Sequence, residues 1–156
     1  MKVSIGDKAP DFCLSDKDDQ KICLKDNLGK WLILYFYPKD NSKSCTREAI
    51  DFTSNLDDFH KMNSIVFGIS PDSIKSHQKF ADKHDLKVHL LSDEDKKLLK
   101  EYGVWQKKSM FGREFMGVVR STVLINPEGK IAEIWENVRV PNHVKNVKTR
   151  LKELQK

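Results

Sequence analysis

Trp31-Leu32-Ile33-Leu34-Tyr35-Phe36-Tyr37-Pro38 decides the fold. The run is apolar without alternation, bounded by Gly29 and by Pro38, and reads as a strand buried on both faces. After a short polar loop, Ala49, Phe52, Leu56 and Phe59 recur at 3–4 spacing, which predicts one amphipathic helix from about 42 to 61. Ser64-Ile65-Val66-Phe67-Gly68-Ile69 then reads as a second buried strand. Strand, helix and strand in that order require parallel pairing and a right-handed crossover.

The pattern extends outward in both directions. Upstream, Phe12–Ser15 and Lys21–Leu24 alternate around the polar turn Asp16-Lys17-Asp18-Asp19, the signature of a β-hairpin. Pairing Phe12 with Leu24 and Leu14 with Ile22 sets Cys13 opposite Cys23. Downstream come helices over about 73–84 and 94–102, the latter stopped by Gly103. A hairpin 121–135 turns at Asn126-Pro127-Glu128-Gly129, and a closing helix carries Val144, Val147, Leu151 and Leu154. The order ββ, βαβ, α, α, ββ, α predicts an α/β protein of thioredoxin-like plan. A mixed central sheet carries helices on both faces and begins with an N-terminal hairpin.

The chain is 156 residues long, 38% hydrophobic and 33% charged, which suits one domain spanning 1–156. No apolar run approaches the ~20 residues of a membrane span, and residues 1–7 lack a signal-peptide core. Three cysteines are too few for a disulfide scaffold, which points to a reducing, cytoplasmic setting. The net charge of +5 includes Lys145, Lys148, Arg150, Lys152 and Lys156 on the closing helix. Cations belong near a helix C-terminus, and no aromatics interleave with them, so nucleic acid is not expected as a partner. A non-catalytic module using that basic helix to bind an acidic protein is the alternative to an enzyme. His60, His77, His84, His89 and His143 show no ligand spacing, so no metal is expected, and His77 and His84, sharing a helix face, are expected at the surface or partly buried. Trp31, Trp105 and Trp135 read as sheet-packing aromatics. The stretch 111–117, with Phe111, Phe115 and Met116, reads as an exposed apolar loop lining an entrance or a dimer contact.

One constellation carries chemistry. Ser42 is placed to cap the helix by accepting the amide three residues on, which belongs to Cys45. A first-turn cysteine meets the positive end of the helix dipole, so its thiol pKa should fall and its sulfur is a candidate nucleophile. A buried structural cysteine is the other reading, disfavoured because Ala49, Phe52, Leu56 and Phe59 already define the core face.

The stretch Tyr37-Pro38-Lys39-Asp40-Asn41-Ser42-Lys43-Ser44-Cys45-Thr46-Arg47-Glu48-Ala49 resembles the peroxidatic loop of peroxiredoxins, Pro-x-x-x-Thr/Ser-x-x-Cys. It is most similar to the bacterioferritin co-migratory protein subgroup. Gly6–Phe12, Val66–Ser70 and Val119–Ile125 match that subgroup in the same order. The resemblance implies a thiol peroxidase without cofactor, reducing hydrogen peroxide and alkyl hydroperoxides and regenerated by thioredoxin or a small thiol, as a monomer or weak homodimer. It implies Cys45 as the peroxidatic cysteine, Ser42 as the hydroxyl beside it and Pro38 as the loop shield. Arg120 would be the active-site arginine and Glu48 the carboxylate orienting it. Where the subgroup often has a resolving cysteine, this chain has Ile50; about Ser76–Asp85 holds none either. No resolving cysteine is therefore assigned, Cys13 and Cys23 being poorly placed to reach Cys45, and an external thiol is expected to complete the cycle.

Thiol acidity alone is a weak lever. Moving a thiol pKa from ~8.5 to ~7 multiplies the thiolate at pH 7 about 15-fold. The accompanying loss of nucleophilicity is about 5-fold, leaving roughly 3-fold. Reactivity on the scale of an enzyme must come from donors such as Arg120 acting on the leaving oxygen.

Overall fold

In a computed structural model describing residues 1–156, seven strands form one mixed sheet in the order β2-β1-β5-β4-β3-β8-β9. The strands are β1 (Cys13–Asp16), β2 (Lys21–Cys23), β3 (Trp31–Phe36), β4 (Ser64–Ser70), β5 (His89–Ser92), β8 (Ser121–Ile125) and β9 (Ile131–Trp135). A separate ribbon pairs β6 (Trp105–Met110) with β7 (Arg113–Val118). The helices are α1 (Lys43–Ser54), α2 (Leu56–Lys61), α3 (Ile74–His84), α4 (Lys97–Tyr102) and α5 (His143–Leu154).

β3 lies between parallel β4 and antiparallel β8, and its alternate side chains feed two separate cores. Ile33 and Tyr35 face a cluster built with α1, α2, α3 and α5. Leu32, Leu34 and Phe36 face a second cluster, closed by α4 and by Phe12 and Leu24 of the N-terminal segment. That two-sided burial is what the continuous apolar run encodes.

The structure departs from the sequence expectations where tertiary context overrides local pattern. The helix expected over 42–61 is two helices, because the chain leaves helical geometry at Asn55 (φ −109°, ψ 5°) and restarts with Leu56. The apolar spacing survives the break, so the periodicity did not reveal it. β5, four residues long with only Leu90 and Leu91 buried, was too short to register. The expected apolar loop at 111–117 is instead the β6–β7 ribbon. Phe111 and Gly112, at φ 53° and 77°, form its two-residue turn, and positive φ at both positions suits the twist of a tight hairpin. The apolar exposure expected there is present: Phe111 is 97% exposed and Met116 50%. His77 is fully buried, because α3 turns it toward the sheet rather than outward.

Tyr35 is the central aromatic under α1, stacked on Phe52 at 4.5 Å and on Tyr37 at 5.5 Å. It pairs across the parallel ladder with Gly68, where an added Cβ would lie 2.5 Å from the ring. Gly68→Ala should therefore cost about 1–3 kcal/mol by overpacking and lower the melting temperature and the temperature of activity loss together. Thermal unfolding checks this, and an unchanged melting temperature would mean that Tyr35 has room to move.

Candidate active site

The end of β3 delivers the chain into a tight, polar turn. Tyr37 is the last buried residue of the run, Asn41 takes a left-handed φ of 67°, and Ser42 returns to extended geometry as the N-cap of α1. Its Oγ accepts the Cys45 amide at 3.3 Å, while Thr46 Oγ1 donates to the Ser42 carbonyl at 2.8 Å. Cys45 thus sits in the first turn of α1. Only 1% of it is exposed, and it belongs to the core cluster rather than lying beside it. The expectation that the core face could be drawn without Cys45 is corrected here, since the first turn tilts inward over the sheet.

Arg120 arrives from the opposite direction. Ser121 pairs with Phe36, so the residue just before β8 emerges at the sheet end where α1 begins. Arg120 precedes the strand rather than lying within it, and its carbonyl is held by the Val138 amide at 2.9 Å. Its Nη2 donates to Cys45 Sγ at 3.2 Å and its Nη1 to Glu48 Oε1 at 2.6 Å. Glu48 lies on α1 three residues after Cys45, on the same helix face, and is fully buried. Cys45, Ser42, Glu48 and Arg120 are therefore joined by direct contacts. Pro38 is half-buried at the mouth of the loop and, lacking an N–H, enters through its place in the chain.

Burial sets the electrostatics. It pushes the Glu48 carboxyl up to about 7, although Arg120 offsets part of the cost of the charge. Burial alone would lower the Arg120 pKa, but Glu48 and Cys45 outweigh it and raise it, so the guanidinium stays charged. His143, against Thr122 at 2.7 Å, falls to about 4 through burial and the nearby Arg120, and is neutral at pH 7. Arg120 is thus the cation in contact with the sulfur. Glu48 Oε2 and Tyr35 Oη are buried without hydrogen-bond partners.

The sequence reading missed what holds the loop. Asp40 is 4% exposed and accepts from Tyr37 Oη and Ser76 Oγ, each at 2.7 Å. His77 Nδ1 meets its Oδ2 at 2.7 Å, and His77 Nε2 faces the Leu91 carbonyl at 3.1 Å. Nε2 must therefore be the donor to that carbonyl, and a proton lies between Nδ1 and Asp40. The Asp40 amide in turn donates to Asp72 Oδ2 at 2.8 Å. The network ties the Cys45 loop to α3, and only a histidine whose face was misread could have signalled it. Asp40, Asp72 and His77 offer three clustered ligand-type atoms, but each is engaged within the network.

Cys13 and Cys23 pair in register as expected and are bridged. That bridge was not expected from a count of three cysteines. Cys45 is the free thiol.

A buried, capped first-turn cysteine under an arginine held by a carboxylate, on a thioredoxin-like sheet, defines a thiol-based redox class. The AhpC/TSA family pattern matches residues 5–134, and the chain belongs to that family, the peroxiredoxins. Within it, the chain is 42% identical to peroxiredoxin Bcp of Bacillus subtilis over 99% of its own length and 98% of that protein's. It is 45% identical to putative peroxiredoxin bcp of Helicobacter pylori over 94% and 96%. Among solved structures, a cysteine-to-serine mutant of Xylella fastidiosa PrxQ superposes with a TM-score of 0.95 at 36% identity, covering 100% of this chain and 99% of that one. Xanthomonas campestris bacterioferritin comigratory protein, studied for alkyl peroxide reduction, gives 0.88 at 36% identity over 93% and 92%.

Glu48 generates a pH prediction. Above pH ~7 its carboxylate pairs with Arg120; below, it is protonated and the pair weakens. Glu48→Gln imitates the protonated state at every pH. The variant should react with peroxide roughly tenfold more slowly than wild type at pH 8, and the two should converge below pH 6. Second-order rates across pH 5–9 check this, and parallel profiles would remove the Glu48 titration from the reaction.

Proposed function

We propose that the chain is a peroxidase in which Cys45 is the nucleophile and Arg120, positioned by Glu48, is the principal charge-stabilising donor. The 3.2 Å contact between Arg120 Nη2 and Cys45 Sγ carries this reading. The Cys45 thiolate attacks the terminal oxygen of ROOH, the O–O bond breaks, and RO⁻ leaves and is protonated. The sulfur becomes a sulfenic acid. Arginine has five N–H donors; one holds Glu48 and one the sulfur, so others remain for the leaving oxygen as charge moves onto it. Ser42 uses its oxygen lone pair for the cap, which leaves its hydroxyl proton to donate toward substrate. Pro38 shields the loop mouth. Hydrogen peroxide and alkyl hydroperoxides both fit a reaction that handles only the O–O end.

Regeneration is by a thiol from outside the chain, thioredoxin or a small thiol. A first thiol condenses with the sulfenate, releasing water and leaving a mixed disulfide, and a second displaces Cys45. Ile50 occupies the position five residues after Cys45, and Cys13 and Cys23 are engaged with each other across the sheet. No helix is long and apolar enough to cross a membrane, and dependence on external thiols suits a cytoplasmic setting. A monomer or weak homodimer suffices, because every assigned group comes from one chain.

Cys45→Ser should reduce stopped-flow consumption of hydrogen peroxide to background, whereas Cys13→Ser and Cys23→Ser keep the fast first turnover. Rapid reaction by Cys45→Ser would refute the assignment. Arg120→Met should slow the first turnover by roughly 10²–10³-fold, the usual loss for one charge-stabilising donor. Arg120→Lys should recover little, since an ammonium cannot hold two acceptors in a fork. An unchanged rate in Arg120→Met would take this residue out of the mechanism.

A further inference from the structure

We propose that the Cys13–Cys23 bridge is a second thiol–disulfide exchange site, attacked at Cys13 by a thiol reductant that carries positive charge beside its reactive sulfur. It is separate from the peroxide site. Across the sheet, Phe36, Ile69, Leu91 and Asp16 form one paired row, and Cys13 lies three residues beyond Asp16 at the end where Cys45 also lies. Leu14 and Ile22 pack on the second core, so alternation turns Cys13 and Cys23 toward the face of α1 and α3. Three strand spacings, about 14 Å, still separate the hairpin from β3.

Access distinguishes the two sulfurs. Cys13 is exposed and Cys23 half-buried, and two depressions of about 240 and 310 Å³ flank Cys13 and not Cys23. An incoming thiolate therefore meets Cys13 first. The Cys13–Cys23 bond breaks as the new S–S bond forms, and Cys23 leaves as a thiolate and takes a proton. A second thiol attacks the mixed disulfide, releasing Cys13 and an oxidised reductant, so two electrons pass from two thiols to the bridge. Exposed bridges are the ones that undergo such exchange, whereas buried ones resist it.

Charge supplies the selectivity. On a chain of net charge +5, the depressions beside Cys13 carry the exposed carboxylates Asp11, Glu94, Asp95 and Glu101 against Lys97. Lys25 reaches Asp11 at 3.4 Å and Lys97 offsets one more, which leaves two carboxylates in excess. A rim of that sign raises the local concentration of cationic attackers and repels anionic ones, an effect that falls with salt.

The test uses oxidised full-length Cys45→Ser, with Cys45→Ala as a second background, so that peroxide chemistry cannot contribute. Cysteamine, 2-mercaptoethanol and 3-mercaptopropionate are compared at equal thiolate concentration, following bridge opening by intact mass after rapid alkylation. Complete opening under native conditions is expected, roughly tenfold faster with cysteamine than with 3-mercaptopropionate at low salt. The ratio should shrink in high salt and in a Glu94→Gln/Glu101→Gln variant. A bridge that resists millimolar thiol until the protein unfolds would overturn the proposal and make the disulfide a staple. An anionic thiol reacting as fast as the cationic one would overturn the charged rim. Either failure leaves the Cys45 assignments untouched, because they are read from peroxide consumption.

Discussion

The Arg120 guanidinium is fixed between a sulfur and a carboxylate at the one sheet end where three elements converge, and most of the architecture serves that placement. β3 must be straight and buried on both faces to deliver Cys45. β8 must pair with it so that Ser121 meets Phe36 and Arg120 emerges beside the first turn of α1. α1 must present Cys45 and Glu48 one turn apart on the same face. A shift of one residue in the β3–β8 register would turn Arg120 to the other face of the sheet and leave Glu48 buried and unpaired. The packing of Val123 and Ile125 into one core and Leu124 into the other makes that shift costly, so the hydrophobic cores fix the geometry of the candidate site as well as the fold.

A second layer of polar contacts restrains the loop independently of that triad. Asp40 gathers Tyr37, Ser76 and His77 around one carboxylate, and its own amide reaches Asp72. These groups lie just after β3, on the turn after β4 and on α3, so the loop before Cys45 is held from three directions. Polar groups this deeply buried stabilise the fold only when every partner is present, and losing one leaves the rest uncompensated. The arrangement therefore favours a single loop geometry over a range of similar ones. An active-site donor acts only from a fixed position, so this is the property the site needs.

The parts legible in the sequence were those encoded by local pattern. The β3 run, the cap at Ser42 and the Cys13 opposite Cys23 register each follow from a few adjacent residues. What escaped detection depends on contacts distant in the chain. His77 is buried because Asp40, 37 residues earlier, accepts from it. β5 exists because β4 and β1 flank it, not because His89–Ser92 has a strong pattern. The break at Asn55 leaves the apolar spacing intact and so leaves no periodic trace. Arg120 stood out through its resemblance to a family pattern, since an arginine before an apolar strand has no distinctive spacing. Only the folded register brings it within 3.2 Å of Cys45.

Burial of the site has a physical cost at Glu48. Glu48 Oε2 has no partner, and burial pushes the carboxyl up to about 7, so the ion pair is less settled than a surface pair would be. A fully satisfied Glu48–Arg120 pair would hold the guanidinium tightly to the carboxylate and leave it less free to follow charge elsewhere. With one carboxylate oxygen unpaired and only two of its N–H donors engaged by Glu48 and Cys45, the arginine keeps its position and has donors to spare. Tyr35, whose Oη is likewise buried without a partner, stacks on Phe52 and Tyr37 beside the triad.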